Sequence, residues 1–167
     1  MSGDEIREIT KIVGDDKYYF HFVHRINKEF EVSDEQRNSH VYVLFQENAK
    51  GERIGFCVIG HSPSKMKVWK NVFKEEGWID SRFKMRKPSY ELMYMYIRPE
   101  HRSKGYGKTL FKKAIEFTKE NDIKAVYAYI SDRTDTAMRF YKQMEGKIIQ
   151  DFSDEDTSAA FFYWHFR

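Results

Sequence analysis

The stretch from Tyr90 to Ala114, YELMYMYIRPEHRSKGYGKTLFKKA, constrains the fold of this chain more than any other, because it reads as strand, phosphate loop and helix in direct succession. Tyr90 to Ile97 is dense in aromatic and long apolar side chains, and Pro99, which cannot extend a ladder, closes it. His101 to Lys108 then sets Arg102, Lys104 and Lys108 around Gly105 and Gly107, residues that permit a tight turn with inward backbone N–H groups. From Gly107 the period becomes 3.6, with Leu110, Phe111, Ala114, Ile115 and Thr118 on one face and Lys108, Lys112, Lys113 and Glu116 on the other. A helix that starts at such a loop turns its unpaired N–H groups and the positive end of its dipole toward an anion, so phosphate or pyrophosphate is the natural ligand.

Three phosphate-loop patterns can be set against these residues. The pattern G-x-x-x-x-G-K-[ST] ends well in Gly107-Lys108-Thr109, but its first glycine falls at Arg102. The dinucleotide pattern G-x-G-x-x-G begins at Gly105 and Gly107, but its third glycine falls at Leu110, too bulky for close packing of helix on strand. The pattern that fits is R-x-x-G-x-G at Arg102, Gly105 and Gly107, between an apolar strand and an amphipathic helix. Here the chain resembles the GNAT superfamily of acyl-CoA-dependent N-acyltransferases.

Around this stretch, EIREITKIV at 5–13 alternates weakly and reads as a first strand, with helix as the other reading. Gly14-Asp15-Asp16 precedes a helical face of Tyr19, Phe22, Val23, Ile26 and Phe30. His21 and His24 lie three apart on that helix, but no third ligand has metal-site spacing, so they read as helix surface. A polar loop follows to Ser39. His40 to Gln46 and Arg53 to Ile59 predict an antiparallel hairpin. Ser62-Pro63-Ser64 starts a helix with Met66, Trp69, Val72 and Phe73 on one face, and a basic loop runs from Gly77 to Ser89. Downstream, Ala125 to Ile130 predicts a strand reached by a parallel crossover. Thr134 or Asp135 then caps a helix through Ala137, Met138, Phe140, Tyr141 and Met144. Lys147 to Phe152 and Phe161 to Phe166 form a last hairpin around the acidic turn 153–158.

The chain of 167 residues is expected to fold as a single domain spanning 1–167. No apolar run is long enough to cross a bilayer, and the acidic start Met-Ser-Gly-Asp-Glu-Ile is unlike a signal peptide, so a cytoplasmic protein without membrane partners is expected. The single cysteine, Cys57, excludes an internal disulfide and reads as a buried, inert thiol. Lys and Arg exceed Asp and Glu by only three, 29 against 26, which is too little to argue for nucleic acid. The aromatic share of 17% points instead to a large core or an aromatic-lined groove.

The resemblance implies an α/β (α+β) fold, a mixed and mostly antiparallel sheet of about six or seven strands flanked by helices. It implies acetyl-CoA as co-substrate and no metal. In the family the loop wraps the coenzyme A pyrophosphate, which assigns Arg102, Ser103, Lys104, Gly105, Tyr106, Gly107, Lys108 and Thr109 to cofactor binding. The strand before the loop splays from its neighbour, so backbone groups of Met95 and Ile97 would pair with pantetheine, and an N–H near Ile97 would stabilise the oxyanion. The helix after the next strand often begins N-x-x-A in the family. Ala137 matches here, whereas Thr134 stands where asparagine is usual, and the glycine after the helix is displaced to Gly146, which predicts a different helix exit.

Tyr141 matches a family tyrosine near the cofactor sulfur and is the candidate general acid, with packing under its helix as the other reading. Glu91 lies fourteen residues before Gly105, where histone-type members carry a catalytic glutamate, and is the candidate base. The other reading is that Glu91 is a solvent-facing strand end and an ordered water acts as base instead. The next residue on that face is Met93.

The expected activity is transfer of acetyl to a primary amine by direct attack in a ternary complex. The acceptor, a small molecule or a peptide, is left open. The extra segment 64–89, a helix at 64–76 with the basic loop to Ser89, is expected to shape its pocket. A non-catalytic acyl-CoA-binding module and, behind it, a single-strand nucleic-acid binder using 82–113 are the alternatives. Monomer and homodimer both stand, with the aromatic C-terminal strand available to pair across a dimer.

Overall fold

The computed structural model describes residues 1–15, 40–61, 83–131, 136–151 and 159–167, together with positions 67, 71, 74 and 75. The predicted helix through Phe30 with His21 and His24, the loop to Ser39, Thr134, Asp135 and the acidic turn 153–158 lie outside the described residues. So does most of the predicted helix after Ser64, whose positions 67, 71, 74 and 75 are helical and exposed.

Residues 5–13 correct the strand reading, because Gly3–Val13 is a helix, α1. Ser2 and Glu5 form a capping box: the Ser2 hydroxyl accepts the Glu5 N–H, and the Glu5 carboxylate accepts the Ser2 N–H. Ile9, Ile12 and Val13 are buried, at spacings that suit one helical face. The end of α1 is held by a residue far along the chain. Arg98 donates from Nε to the Ile12 carbonyl and from Nη2 to the Lys11 carbonyl, both at 3.0 Å, satisfying acceptors that a helix end leaves unpaired.

The predicted hairpin forms as β1, His40–Glu47, and β2, Arg53–His61, paired antiparallel from His40↔His61 to Glu47↔Arg53. Every residue of β2 from Ile54 to Gly60 is buried. Cys57 is fully covered, and burial pushes its thiol up to about 12, so it is inert at neutral pH as expected.

The later strands are β3 (Ser89–Ile97), β4 (Ala125–Ser131), β5 (Lys147–Asp151) and β6 (Ala159–His165). The helices among them are α2 (Tyr106–Glu120) and α3 (Thr136–Gln143). The sheet order is β1-β2-β3-β4-β6-β5, with β3 and β4 parallel and the β1–β2, β4–β6 and β5–β6 pairs antiparallel. This is the mixed, mostly antiparallel sheet that was expected. Two compact units are formed, Met1–His61 with Tyr94–Ala114 and Ser62–Met93 with Ile115–Arg167; the division falls inside β3 and α2. No helix among the described residues is long and apolar enough to cross a membrane.

The reading of the C-terminal strand as a dimer edge is corrected. β6 lies between β4 and β5 and is paired on both sides, so the edge belongs to β5. The aromatic residues of β6 serve the two faces of the sheet: Phe161 and Phe162 are fully buried, and Phe162 and Trp164 receive α3 through Tyr141.

The exit from α3 explains the displaced glycine. Glu145 takes the left-handed conformation, φ 61°, and the Gly146 N–H bonds back to the Tyr141 carbonyl at 3.0 Å. A Cβ on Gly146 would stand 2.7 Å from both Phe162 Cδ1 and Trp164 Cζ2 and 2.9 Å from the Tyr141 carbonyl oxygen. Gly146→Ala should therefore cost about 1–3 kcal/mol of stability by overpacking, read as a lowered urea midpoint. An unchanged midpoint would mean that the two rings yield freely.

Candidate active site

The loop after β3 is shaped by local backbone geometry. Pro99–His101 makes one 3-10 turn, Ser103 and Gly105 have φ of 60° and 86°, and α2 begins at once with Tyr106. The Gly105 carbonyl accepts the Thr109 N–H at 3.1 Å and the Thr109 hydroxyl at 3.3 Å. Tyr106, Gly107 and Lys108 thus occupy the first turn, where a helix has no internal acceptors for N–H groups. Arg102, Ser103, Lys104, Gly105, Lys108 and Thr109 are exposed, and Tyr106 and Gly107 are half-buried. The result is an accessible, cationic helix start beside positive-φ residues, a geometry suited to phosphate oxygens.

The cations differ in what their side chains do. Arg102 donates from Nε to the Ile97 carbonyl at 2.8 Å, and its guanidinium lies 5.5 Å from the centre of the Tyr96 ring, which stacks on Phe56. Lys104 Nζ donates to the Glu100 carbonyl at 2.9 Å. Arg102 thus holds the loop against the end of β3, and Lys104 ties it to its own 3-10 turn. Lys108 projects from the exposed face of α2.

Strand β3 divides its backbone between two sides. The Arg98 N–H donates to the Ile54 carbonyl of β2 at 2.9 Å, so by alternation Tyr94 and Tyr96 turn their peptide groups toward β2, and Met95 and Ile97 turn theirs away. The ladder of β3 with β4 consists of Ser89↔Ala125, Tyr90↔Val126 and Glu91↔Tyr127. Glu91 is its last member on β3, although that strand runs on to Ile97.

Glu91 is 1% exposed, which overturns the reading of a solvent-facing strand end. Its register partner Tyr127 projects to the same face and is fully buried. The sequence reading took Tyr127 only as part of an apolar strand, yet its hydroxyl organises this part of the molecule. It accepts the Arg86 N–H at 2.8 Å and lies 3.1 Å from His165 Nε2. Arg86 also donates from Nη1 to the Phe166 carbonyl at 3.0 Å, and Phe83 packs on Tyr163 and His165. The segment leading into β3 is thereby fastened to β4 and β6.

Burial, opposed by Arg86, pushes the Tyr127 phenol up to about 12, so it keeps its proton. Burial first, then the charges of Arg86 and Lys147, hold the His165 imidazole below its ordinary value. A neutral imidazole then accepts the phenol proton at Nε2. Because the unfolded chain binds this proton more readily, the stability from His165 is present above its unfolded value near 6.5 and is lost as pH falls through the lowered folded value. His165→Gln should flatten that limb when thermal unfolding is followed from pH 8 to 5; an unaltered pH dependence would assign it elsewhere.

Tyr141 lies on the opposite face of the sheet from Glu91. It is 7% exposed and its ring sits 5.4 Å from Phe140, 5.8 Å from Phe162 and 5.5 Å from Trp164. Ala137, one turn earlier on α3, is half-buried.

The sequence model of the acetyltransferase (GNAT) family matches residues 6–145. The chain belongs to this family. The GNAT resemblance read from Arg102, Gly105 and Gly107 is thus met, and with it the expectation of an acyltransferase. No curated protein matches the sequence significantly. Among solved structures, a candidate GNAT acetyltransferase from Desulfovibrio desulfuricans has a TM-score of 0.63 at 11% identity, covering 98% of this chain and 94% of that one. PaiA N-acetyltransferase from Thermoplasma acidophilum, solved in complex with coenzyme A, has 0.59 at 16% identity, covering 99% and 96%. The NatC complex bound to Gag peptide and CoA has 0.56 at 11% identity, covering 99% and 93%. Identities this low show a shared GNAT fold.

Proposed function

We propose that this GNAT protein is a cytoplasmic N-acetyltransferase, working as one domain, that moves an acetyl group from acetyl-CoA to a primary amine by direct attack. The observation that carries the reading is the start of α2, where positive φ at Ser103 and Gly105 leads into a first helical turn with accessible N–H groups and Lys108 beside them. These donors fit a pyrophosphate in number, charge and exposure. Arg102 and Lys104 hold the loop in shape, and Met95 and the Ile97 N–H offer peptide groups to an amide-bearing arm, the Ile97 carbonyl being engaged by Arg102.

Acetyl-CoA would supply the acetyl group, the amine nitrogen bonding to its carbonyl carbon as the carbon–sulfur bond breaks and coenzyme A leaves as the thiol. Glu91 removes a proton from the ammonium, through a water given its burial, and a β3 N–H near Ile97 stabilises the charge developing on the carbonyl oxygen. Tyr141 donates a proton to the departing sulfur. Calorimetric titration of acetyl-CoA into the folded protein, followed by amine-dependent release of free coenzyme A, tests the proposal. A folded protein that takes up no acetyl-CoA refutes it.

A further inference from the structure

Glu91, itself buried, lies on a sheet face that also carries an exposed aromatic residue. Tyr127 stands beside Glu91 in the β3–β4 ladder, and two residues further along β4, on the same face, Tyr129 is 45% exposed. Its cross-strand partner on β6, Phe161, is fully buried and stacks on Tyr127 at 5.9 Å. The face therefore carries a buried carboxylate and, two residues past the last ladder pair, an aromatic ring open to solvent. Two residues of strand span about 6.6 Å and neighbouring strands lie about 4.8 Å apart, so the backbone of Tyr129 stands about 8 Å from that of Glu91, a span that a substrate ammonium and bridging water can fill.

On the reading of the chain as an amine acetyltransferase, we infer that Tyr129 is the acceptor-binding residue, holding the primary ammonium of the substrate over its ring before Glu91 takes the proton. The chemistry is complementary on both counts. An acceptor amine arrives protonated, the ring face attracts a cation, and the attraction strengthens where water is partly excluded. Glu91, at 1% exposure, is out of reach for direct pairing, whereas Tyr129 is accessible. The contact reads the ammonium and the carbon that bears it, which predicts acceptance of simple primary amines and discrimination against amides and alcohols of the same shape.

The test compares wild type, Tyr129→Phe and Tyr129→Ala in steady-state acetylation of phenethylamine, n-butylamine, spermidine and a lysine-containing peptide, with acetyl-CoA titrated calorimetrically alongside. For each amine the wild type acetylates, Tyr129→Ala should raise the amine KM about tenfold, as the loss of a partly desolvated cation–ring contact implies. Its KM for acetyl-CoA should not move, and Tyr129→Phe, which keeps the ring, should stay close to wild type. An amine KM within about twofold of wild type in Tyr129→Ala, or an equal loss in Tyr129→Phe, overturns the assignment while leaving the acetyltransferase reading intact. A wild type that acetylates none of the probes and takes up no acetyl-CoA overturns both, and one that takes up acetyl-CoA yet acetylates none overturns this inference.

Discussion

Glu91→Gln should lower amine-dependent turnover by about 10²- to 10⁴-fold, the range that a positioned general base contributes, with acetyl-CoA affinity unchanged. The substitution is nearly isosteric, which matters at a position 1% exposed in β3 between Tyr90 and Leu92, both also buried. It removes the ability to accept a proton while keeping the shape of the strand. The loss should appear in kcat and kcat/KM alike, because the proton is taken only as the amine becomes a nucleophile. Turnover left as in wild type would return the role of base to water and leave Glu91 with a packing function.

Gly105→Asp should weaken acetyl-CoA binding by more than about a hundredfold, and the magnitudes say why. A Cβ at Gly105 meets nothing within 4 Å, so no steric clash is involved. The backbone, at φ 86°, lies where an L side chain costs about 1–2 kcal/mol, roughly a tenfold effect. A carboxylate some 5 Å from a phosphate adds about 3 kcal/mol of repulsion per charge at an effective dielectric of 20, and that term dominates. Gly105→Ala separates the two, retaining the strain without the charge, and should lose only about tenfold. The measurement is calorimetric titration of the three proteins, each first shown to be folded, since the strain at φ 86° itself lowers the unfolding midpoint of both variants. Equal affinities for wild type and Gly105→Asp would remove the loop from the binding site.

How far the sequence alone reached is best seen at particular residues. Strand β3, the loop and α2 were legible because their signals are local: an apolar run ended by Pro99, glycines at 105 and 107, and a 3.6-residue period whose buried members, Leu110, Phe111, Ala114 and Thr118, are those expected. The same holds for the β1–β2 hairpin and for the parallel crossover from β3 to β4. For residues 5–13 the apolar pattern allowed two answers, and the Ser2–Glu5 capping box with the Arg98 clamp selected helix.

What tertiary structure alone decided depends on partners distant in the chain. Arg98 reaches α1 across 86 residues, the Tyr127 hydroxyl joins Arg86 and His165 across 41 and 38, and β6 passes inside β5 to pair with β4. Burial of Glu91 belongs to the same group, since a strand-end carboxylate reads alike whether solvent or protein covers it. Periodicity and turn chemistry are properties of a few consecutive residues and survive in the sequence, whereas the environment of a single side chain is set by which distant strands come to lie beside it.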